Sequence, residues 1–450
     1  MVNQRYEYTM TIDAERTLSA IYTVIRQSAG DDYFLYENPP CWCLGLGRVA
    51  TLQIDAAGKQ ALEEQATGEH RYPINGTLAD CARQFVRNYA EKAPRIYGMA
   101  AFNYAARVRG LPFTPGTWPL LNLVIPRCEL VFQQGQVTIY APTEAECQRL
   151  STMLCDINDP PNRSVMAVDT AQCGDDYRQR VARALAEIDA GDYEKVIVSR
   201  MLALPAPLDI PATWWLGRQK NTPARSFLFR LAEREATGFS PELVVRVEQA
   251  RAMTEPLAGT RARADNAQQN AQQQQALISD SKEIVEHIIS VKEAIRELNQ
   301  VCRPASVVVN DLMSVRERGS VLHLGSQVSG QLGEGQDAWD VFDELFPAIT
   351  ASGIPKTAAL TAIQGLESVP RELYSGAVML IENPHRFDAA LVLRSAFQDS
   401  HRQWIQAGAG IIAQSTPERE LTETQEKLAS IAPYVVAKCF VNNNHYYLQD

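Results

Sequence analysis

The chain has 450 residues, a formal net charge of −10 at pH 7 and a hydrophobic content of 46%. An acidic chain without a block of Lys and Arg offers no patch for nucleic-acid phosphates or for an anionic membrane, so neither partner is expected. No apolar run approaches the roughly 18 residues that a membrane-spanning helix needs, and Met1–Thr23 lacks the pattern of a signal peptide.

The nine cysteines are scattered along the chain. Cys41 and Cys43 form a Cys-x-Cys pair, but no second Cys or His pair follows at the spacing of a zinc site. We therefore expect reduced thiols and a cytoplasmic location.

The part of the chain before about Asp169 is predicted to form short strands separated by turns. The clearest elements in it are strands at Asp32–Glu37, Val49–Ile54 and Leu120–Ile125 and a helix at Leu78–Glu91. Beyond this part, helices and strands alternate without a strict βαβ rhythm. A helix is predicted at Asp176–Gly191, and strands are predicted at Lys195–Ala203, Ser226–Leu231, Leu243–Val247, Ser306–Val309, Gly376–Ile381, Asp388–Phe397 and Gln403–Ala409.

These strands indicate an α+β fold with helices outside the sheets. None of them is followed by GxGxxG or GxxxxGK[ST], so the sequence predicts neither a Rossmann nor a P-loop nucleotide site. The length alone favours two or three domains. The Gln- and Ala-rich run Asp265–Gln275 is predicted to be a solvated helical lead-in to the next helix.

The clearest predicted helix is Ser281–Gln300. Its apolar stripe consists of Ile284, Ile288, Val291, Ile295 and Leu298. Glu283 and Glu286 lie three residues apart and point to neighbouring directions away from this stripe. Glu293 and Glu297 share that acidic side and are interpreted as surface residues.

A second helix is predicted to begin near Thr416, and it repeats the same spacing. Glu420 and Glu423 are three residues apart, and Lys427 falls on their face. One such pair is typical of a solvated helix face. Two matching pairs raise the alternative that the helices converge and that the four carboxylates hold Mg²⁺, which prefers oxygen ligands. Periodicity leaves this choice open.

Three runs rich in Gly and hydroxyl side chains suit an anionic ligand. They are Thr254–Arg261, Thr350–Lys356 before a helix, and Ala407–Ile411 after a strand. Such runs let a ligand approach backbone N–H groups, although tight turns are the simpler explanation for each run alone. Arg394 is predicted within an apolar strand, where its charge needs a carboxylate partner from a substrate or from the protein.

Three further side chains each allow two interpretations. Lys195 begins an apolar strand and is either a base or a strand-edge residue with its amine in water. Glu242 is either an acid or the cap of a turn. His323 is either part of a site or a hydrogen-bonded core histidine.

Taken together and in order, these segments resemble the chorismate-utilising enzyme family, which includes anthranilate, aminodeoxychorismate, isochorismate and salicylate synthases. The resemblance extends from about Asp176 to Val436. The matching positions are Lys195, Gly238 to Glu242, Glu255 to Arg261, Ser281 to His287, His323 to Ser326, Thr350 to Lys356, Tyr374 to Gly376, Arg394, Gly408 to Gly410, and Glu420 to Lys427.

Within the family, the chain is most similar to the members that make salicylate for siderophores. The closer match lies in residues 221–227, 314–320, 346–352 and 371–376, and in Asp32–Glu37 and the region of Trp42. The resemblance implies an α+β fold of the anthranilate synthase component I type, with two large β-sheets packed face to face and helices outside. It also implies one domain over residues 1–450, with residues 1–170 part of the same fold.

The resemblance implies conversion of chorismate to isochorismate by water addition, and then to salicylate and pyruvate, in one Mg²⁺-dependent site. The implied catalytic residues are Lys195 as base, Glu242 as acid, and His323. The implied substrate-binding residues are Gly259, Thr260, Thr350, Tyr374, Arg394, Gly408, Gly410 and Lys427. The implied metal ligands are Glu283, Glu286, Glu420 and Glu423.

Other activities remain open at this point. An isochorismate synthase would use the same residues and stop after the first step. An anthranilate or aminodeoxychorismate synthase would use ammonia, usually from a glutaminase, and no glutaminase partner is expected here. A silent binding protein is disfavoured because every candidate acid, base and metal ligand is present. A glycosidase is disfavoured because the acids come in helical pairs.

Overall fold

Two large sheets of antiparallel strands form the centre of the protein, for which a computed structural model describes residues 5–28, 30–89, 93–160, 164–264, 266–382 and 386–438. The strands are β1 (Tyr6–Thr11), β2 (Tyr33–Asn38), β3 (Cys41–Leu46), β4 (Ala50–Ile54), β5 (Gln60–Gln65), β6 (Gly68–Pro73), β7 (Arg95–Ala100), β8 (Leu121–Ile125), β9 (Cys128–Gln133), β10 (Gln136–Ala141), β11 (Lys195–Ala203), β12 (Arg225–Leu231), β13 (Arg234–Ser240), β14 (Leu243–Glu248), β15 (Arg251–Thr254), β16 (Leu257–Ala262), β17 (Val308–Arg318), β18 (Val321–Gln331), β19 (Gly353–Ile354), β20 (Ala377–Glu382), β21 (Arg386–Leu391), β22 (Ser395–Gln398) and β23 (Gln403–Ile411).

Helices cover the outer faces of both sheets. They are α1 (Thr17–Gln27), α2 (Leu78–Tyr89), α3 (Tyr104–Val108), α4 (Glu144–Cys155), α5 (Gly174–Asp189), α6 (Ile210–Lys220), α7 (Ala267–Ser279), α8 (Ser281–Val301), α9 (Ala338–Leu345), α10 (Lys356–Leu366) and α11 (Pro417–Leu428). Within the described residues, no helix is long and apolar enough to cross a membrane.

The N-terminal strands extend both sheets. The first sheet has the order β1-β10-β9-β3-β2-β12-β13-β22-β23-β11-β19. The second has the order β16-β18-β15-β14-β21-β20-β7-β8-β4-β5-β6, and β17 pairs with β18. Because β2 pairs with β12 and β7 pairs with β20, the early and late parts of the chain share the same hydrogen-bonded ladders.

The two sheets pack face to face through large aromatic side chains. Phe34 of the first sheet lies 5.4 Å from Tyr97 of the second, measured between ring centroids. Strand β12 is buried along nearly its whole length because one face meets the other sheet and the other meets helices. This arrangement confirms the α+β prediction with helices outside.

Most of the predicted elements are confirmed, but the predicted strand Asp388–Phe397 is wrong. It is two strands, β21 in the second sheet and β22 in the first, and the chain crosses between the sheets in the intervening segment. Arg394 lies in this crossing with a φ of 51° rather than within a strand. The apolar run did not reveal the crossing because both strands are buried.

The buried face of α8 also differs from the prediction. Glu293 and Glu297, which were interpreted as surface residues, are buried, whereas Ile288 of the predicted apolar stripe is 42% exposed. Glu297 is buried because its carboxylate pairs with Lys356 at 2.7 Å. Partners from elsewhere in the chain therefore decide which side of this helix faces inward.

The Gln-rich run forms a separate helix rather than the start of α8. Helix α7 is largely exposed and ends at Ser279. Asp280 then caps α8 by accepting hydrogen bonds from the backbone N–H groups of Lys282 and Glu283, at 3.0 Å and 3.4 Å. The prediction of a solvated helix is confirmed, but its continuity with the next helix is wrong.

All cysteines in the described ranges are free thiols, as expected. The sulfur atoms of Cys41 and Cys43 are 3.9 Å apart, which is a hydrogen-bonding distance and not a bond.

Candidate active site

One cavity contains most of the residues predicted to form a site. The predicted residues that line it are Glu242, Gly259, Thr260, Glu286, His323, Thr350, Tyr374, Arg394, Gly408, Gly410, Glu423 and Lys427. Lys195, Glu283 and Glu420 are not part of the lining and lie behind it, within reach of the lining acids.

Helices α8 and α11 bring the four predicted metal ligands together. Thr416 caps α11, and Pro417 occupies its first position, just as Asp280 caps α8. Glu283 and Glu420 therefore lie in the first turn of their helices, and each partner glutamate follows three residues later. All four side chains are buried.

The four carboxylates surround the ammonium group of Lys282. The distances from its Nζ atom are 3.1 Å to Glu286 Oε2, 3.7 Å to Glu283 Oε1, 3.6 Å to Glu420 Oε1 and 3.6 Å to Glu423 Oε2. Among the described residues, no three His, Cys, Asp or Glu side chains have the arrangement of a ready-made metal site. A lysine at the centre of the acids accounts for this, because the acids are spaced around its ammonium group.

Three other cations each bind one of these acids. Lys195 Nζ lies 3.1 Å from Glu286 Oε1 and donates to Ser290 Oγ at 3.2 Å. Lys427 Nζ lies 2.8 Å from Glu423 Oε1. Arg419 Nη2 donates to Glu283 Oε1 at 2.5 Å.

The acids differ in how their charge is compensated. Burial opposes ionisation of Glu286, but the charges of Lys195 and Lys282 outweigh it and hold the pKa of Glu286 below its ordinary value. Burial and the neighbouring charge of Glu423 raise the pKa of Glu420 to about 8. Neither carboxylate oxygen of Glu420 has a hydrogen-bond partner among the described residues.

Glu242 is a buried carboxyl group on the cavity wall. Burial raises its pKa to about 8, although the Thr350 hydrogen bond and the charge of Lys195 act in the opposite direction. Thr350 Oγ1 donates to Glu242 Oε1 at 2.6 Å. A carboxyl group of this kind holds a proton at neutral pH and is able to donate it.

Arg394 presents a buried positive charge to the cavity without an acid partner. It is 6% exposed, and no carboxylate of the described residues lies within 4 Å of its guanidinium group. Burial and the nearby charge of Arg318 lower the pKa of Arg394 to about 9. A buried cation in this condition is suited to bind an anion.

His323 holds Arg394 rather than facing an acid. Its Nδ1 atom is 2.9 Å from the carbonyl oxygen of Gly259, so this nitrogen carries the proton. Its Nε2 atom then accepts a hydrogen bond from Arg394 Nη2. Burial and the charge of Arg394 lower the pKa of His323 well below its ordinary value, in agreement with a neutral ring.

Two glycines leave room for the glutamates. A Cβ atom at Gly410 would lie 2.4 Å from Glu286 Oε1, and one at Gly259 would lie 2.9 Å from Glu283 Oε2. Gly259 also has a φ of +77°, which favours glycine. The run Ala407–Ile411 was predicted to follow a strand, but it lies inside β23, where the carbonyl of Gly408 accepts a hydrogen bond from Lys427 at 2.9 Å.

Sequence reasoning missed several residues of the site. Lys282 was not singled out, although its spacing of four residues from Glu286 predicts a helical ion pair. Ser290, which binds Lys195, carries no comparable signal. The lining residues Leu393 and Gln406 also went unrecognised, because nothing in their local sequence shows that they face a cavity.

Comparison with known sequences places the chain in a family and finds relatives that match most of its length. A profile described as chorismate binding enzyme matches residues 31–433. The salicylate synthase of Mycolicibacterium paratuberculosis is 40% identical over 430 residues, which are 95% of this chain and 95% of that protein. Anthranilate synthase component 1 of Methanothermobacter thermautotrophicus is 29% identical over 357 residues, which are 77% of each protein.

Comparison with solved structures concerns the fold. The menaquinone-specific isochorismate synthase of Escherichia coli superposes with a TM-score of 0.72 at 21% identity, covering 96% of this chain and 94% of that chain. Anthranilate synthase component I of Streptococcus pneumoniae superposes with the same TM-score of 0.72 at 21% identity, covering 88% and 93%. These likenesses confirm the predicted anthranilate synthase component I type of fold.

Proposed function

Since the chain belongs to the chorismate-binding enzyme family, we propose that it is a salicylate synthase that converts chorismate to isochorismate and then to salicylate and pyruvate. The relative named salicylate synthase, matched over 95% of both chains, supports this choice of product. The observation that carries the proposal is the shared cavity: it combines an acid with a raised pKa, Glu242, with a buried cation, Arg394, and a partly buried cation, Lys427.

The cations of the cavity suit a substrate with two carboxylates. Chorismate carries a ring carboxylate and an enolpyruvyl carboxylate. We assign the enolpyruvyl carboxylate to Arg394, with Tyr374, Lys427 and the backbone at Gly408 beside it. Thr260, His323 and Thr350 line the space for the ring, and Gly410 leaves room beside it. Arg394 keeps its geometry because His323 and the carbonyl oxygen of Arg318 bind its two terminal nitrogens.

The first step adds water to one ring carbon and expels the hydroxyl group from another. Water is a poor nucleophile and hydroxide a poor leaving group, so the step needs a base and an acid. In its neutral form, Lys195 takes a proton from the attacking water. Glu242 gives its proton to the leaving hydroxyl group, which departs as water. The raised pKa of Glu242 keeps that proton available at neutral pH.

The second step removes pyruvate and makes the ring aromatic. It proceeds by an internal hydrogen transfer within bound isochorismate, so it needs a fixed conformation more than a further acid or base. The buried contacts of Arg394 and the close packing around Gly259 supply a rigid wall for this purpose.

The four glutamates suit Mg²⁺. They provide oxygen ligands, Glu420 has buried oxygens without hydrogen-bond partners, and a positive charge already stands at their centre. Glu286 and Glu423 would hold the ion, with Glu283 and Glu420 bound directly or through water. When bound, Mg²⁺ supplies a positive charge that orients the ring carboxylate and stabilises negative charge in the ring.

The same proposal includes the location, the domain organisation and the pathway of the enzyme. We place it in the cytoplasm as a single-domain protein over residues 1–450 that serves siderophore synthesis. Because Lys195 acts on water, no glutaminase partner is needed to deliver ammonia. Chorismate, isochorismate, salicylate and pyruvate are its small-molecule partners.

Product analysis tests the proposal. Purified protein is incubated with chorismate and Mg²⁺, salicylate is followed by its fluorescence, and isochorismate and pyruvate are separated by chromatography. Salicylate and pyruvate in equal amounts are expected. Accumulation of isochorismate without salicylate would instead identify an isochorismate synthase, and bound but unchanged chorismate would identify a silent binding protein.

A further inference from the structure

Lys282 is the only cation of the described residues that reaches all four glutamates of the cluster. Its side chain is 4% exposed, and its Nζ atom lies between 3.1 Å and 3.7 Å from an oxygen of each acid. Lys195, Lys427 and Arg419 each reach one acid of the set. Lys282 therefore occupies the centre of the cluster, and the other cations lie at its edge.

The glutamate oxygens that face Lys282 are those that a metal ion would need. The second oxygen of Glu286 is bound by Lys195, and that of Glu423 is bound by Lys427. The remaining oxygens, Glu286 Oε2 and Glu423 Oε2, point at Lys282 together with Glu420 Oε1. An ammonium group and a divalent cation would therefore compete for the same oxygens.

A cation at this position compensates the charge of the acids of the cluster that are ionised. Buried carboxylates at close range repel one another and lose their hydration, so an uncompensated cluster is unfavourable. Lysine has a compact charge on a flexible stem, and its ammonium group can move without a change in the backbone. Its place in the first turn of α8 anchors the stem next to two of the acids.

We propose that Lys282 fills the divalent-cation site of the metal-free protein, keeps the four glutamates together, and leaves the centre when Mg²⁺ binds. This inference rests on the assignment of Mg²⁺ to the cluster in the proposed function. The exchange of one cation for another leaves the site assembled in both states. It also weakens Mg²⁺ binding, because only molecules in which the lysine is already withdrawn can bind the ion. The apparent Kd is the intrinsic Kd divided by the fraction of such molecules.

Calorimetric titration of Mg²⁺ into the metal-free full-length protein tests the exchange. Lys282→Met removes the competing charge, and the Kd for Mg²⁺ should fall about tenfold if about one molecule in ten has the lysine withdrawn. The melting temperature of this variant without metal should fall, and saturating Mg²⁺ should restore it. Lys292→Met is the matched control, because Lys292 lies on the same helix and is exposed; its Kd and melting temperature should equal those of the wild type.

Lys427→Met separates displacement from a simple loss of charge. It removes a cation that binds Glu423 from the edge, so its effect on the Kd should be clearly smaller than that of Lys282→Met. Equal effects of the two variants, or an unchanged or weaker Kd in Lys282→Met, would overturn the exchange while leaving the Mg²⁺ site intact. Absence of Mg²⁺ binding in the wild type would instead remove the metal assignment itself, and the exchange with it.

The folding of Lys282→Met provides a second test of the exchange. If Lys282→Met is recovered only with Mg²⁺ present and unfolds on chelation, the ion has replaced the lysine, as the exchange requires. Lys282→Gln, which keeps a neutral polar group on a shorter side chain, should behave in the same way. Failure of both variants to fold even in saturating Mg²⁺ would show that Lys282 has a structural role that no metal ion fulfils, which contradicts the exchange.

Discussion

Two buried groups of charges in this protein differ in whether a buried charge has a partner of opposite charge. Between the sheets, Asp388 receives two hydrogen bonds of 2.8 Å from Arg225, one of 2.9 Å from Arg246 and one from Tyr36. Burial opposes its ionisation, but the Arg225 charge outweighs burial and holds the pKa of Asp388 below its ordinary value. In the cavity, by contrast, Arg394 has no acid partner among the described residues.

The difference separates structural charges from functional ones. A fully hydrogen-bonded acid such as Asp388 has no capacity left for a ligand, and its role is to hold strands together. Arg394 and the oxygens of Glu420 keep unsatisfied capacity, which costs stability unless a ligand provides it. We therefore expect Arg394 and Glu420 to bind a ligand and Asp388 to stabilise the fold.

The largest effect is expected from Lys195, the proposed base. Lys195→Ala should lower kcat by about 10²- to 10⁴-fold, because the variant loses the amine that we propose takes the proton of the attacking water. Circular dichroism should show a folded protein. The matched control is Lys220→Ala, an exposed lysine at the end of α6, which should keep wild-type kcat. Activity of Lys195→Ala at the wild-type level would remove Lys195 as the base.

The comparison of the two charge groups is tested by one substitution in each. Arg225→Met leaves Asp388 with an incomplete set of donors and should lower the free energy of unfolding by about 3 kcal/mol, measured by urea denaturation. Arg394→Met removes a buried charge without an acid partner, so the free energy of unfolding should stay the same or rise. Its KM for chorismate should rise at least about 30-fold, because a buried charge that binds a carboxylate is lost.

Each of these two variants is the control of the other. Arg225→Met should leave KM near the wild-type value in the folded protein, since Asp388 lies away from the cavity lining. A large loss of stability in Arg394→Met with an unchanged KM would reverse the assignment of structural and functional charge.

A smaller effect is expected from the hydroxyl group beside the acid. Glu242 must hold its proton to act, so kcat/KM should fall as the pH rises through about 8. Thr350 stabilises the ionised carboxylate of Glu242, so Thr350→Val should raise the pKa of Glu242. The alkaline limb of the pH profile of kcat/KM should then move to higher pH by about one unit. Thr361→Val on the exposed side of α10 is the matched control and should not move the limb. A downward movement in Thr350→Val would contradict the proton assignment.

Local patterns in the sequence predict much of this fold. The helix spacing of Glu283 and Glu286, and the apolar strand that begins at Lys195, are short-range features that periodicity captures. The division of Asp388–Phe397 between two sheets is not a local feature, because it depends on strands from distant parts of the chain. The same holds for the burial of Glu297, which depends on Lys356.

The composition of the site was predictable, but its internal order was not. Two matching pairs of glutamates suggest convergence, yet spacing along one helix does not show what faces it from another. Lys282 illustrates this limit: its sequence neighbours resemble an ordinary helical ion pair, and its role at the centre depends on the arrival of Glu420 and Glu423 from α11.

A crystal structure of Glu242→Gln with chorismate and Mn²⁺ tests the central claim most directly, because this variant should bind without turnover and Mn²⁺ gives an anomalous signal. We predict an anomalous peak between Glu286 and Glu423, a withdrawn Lys282 side chain, and a substrate carboxylate on Arg394. Lys282 still at the centre of the glutamates, with the metal elsewhere and Arg394 without a ligand, would contradict the account.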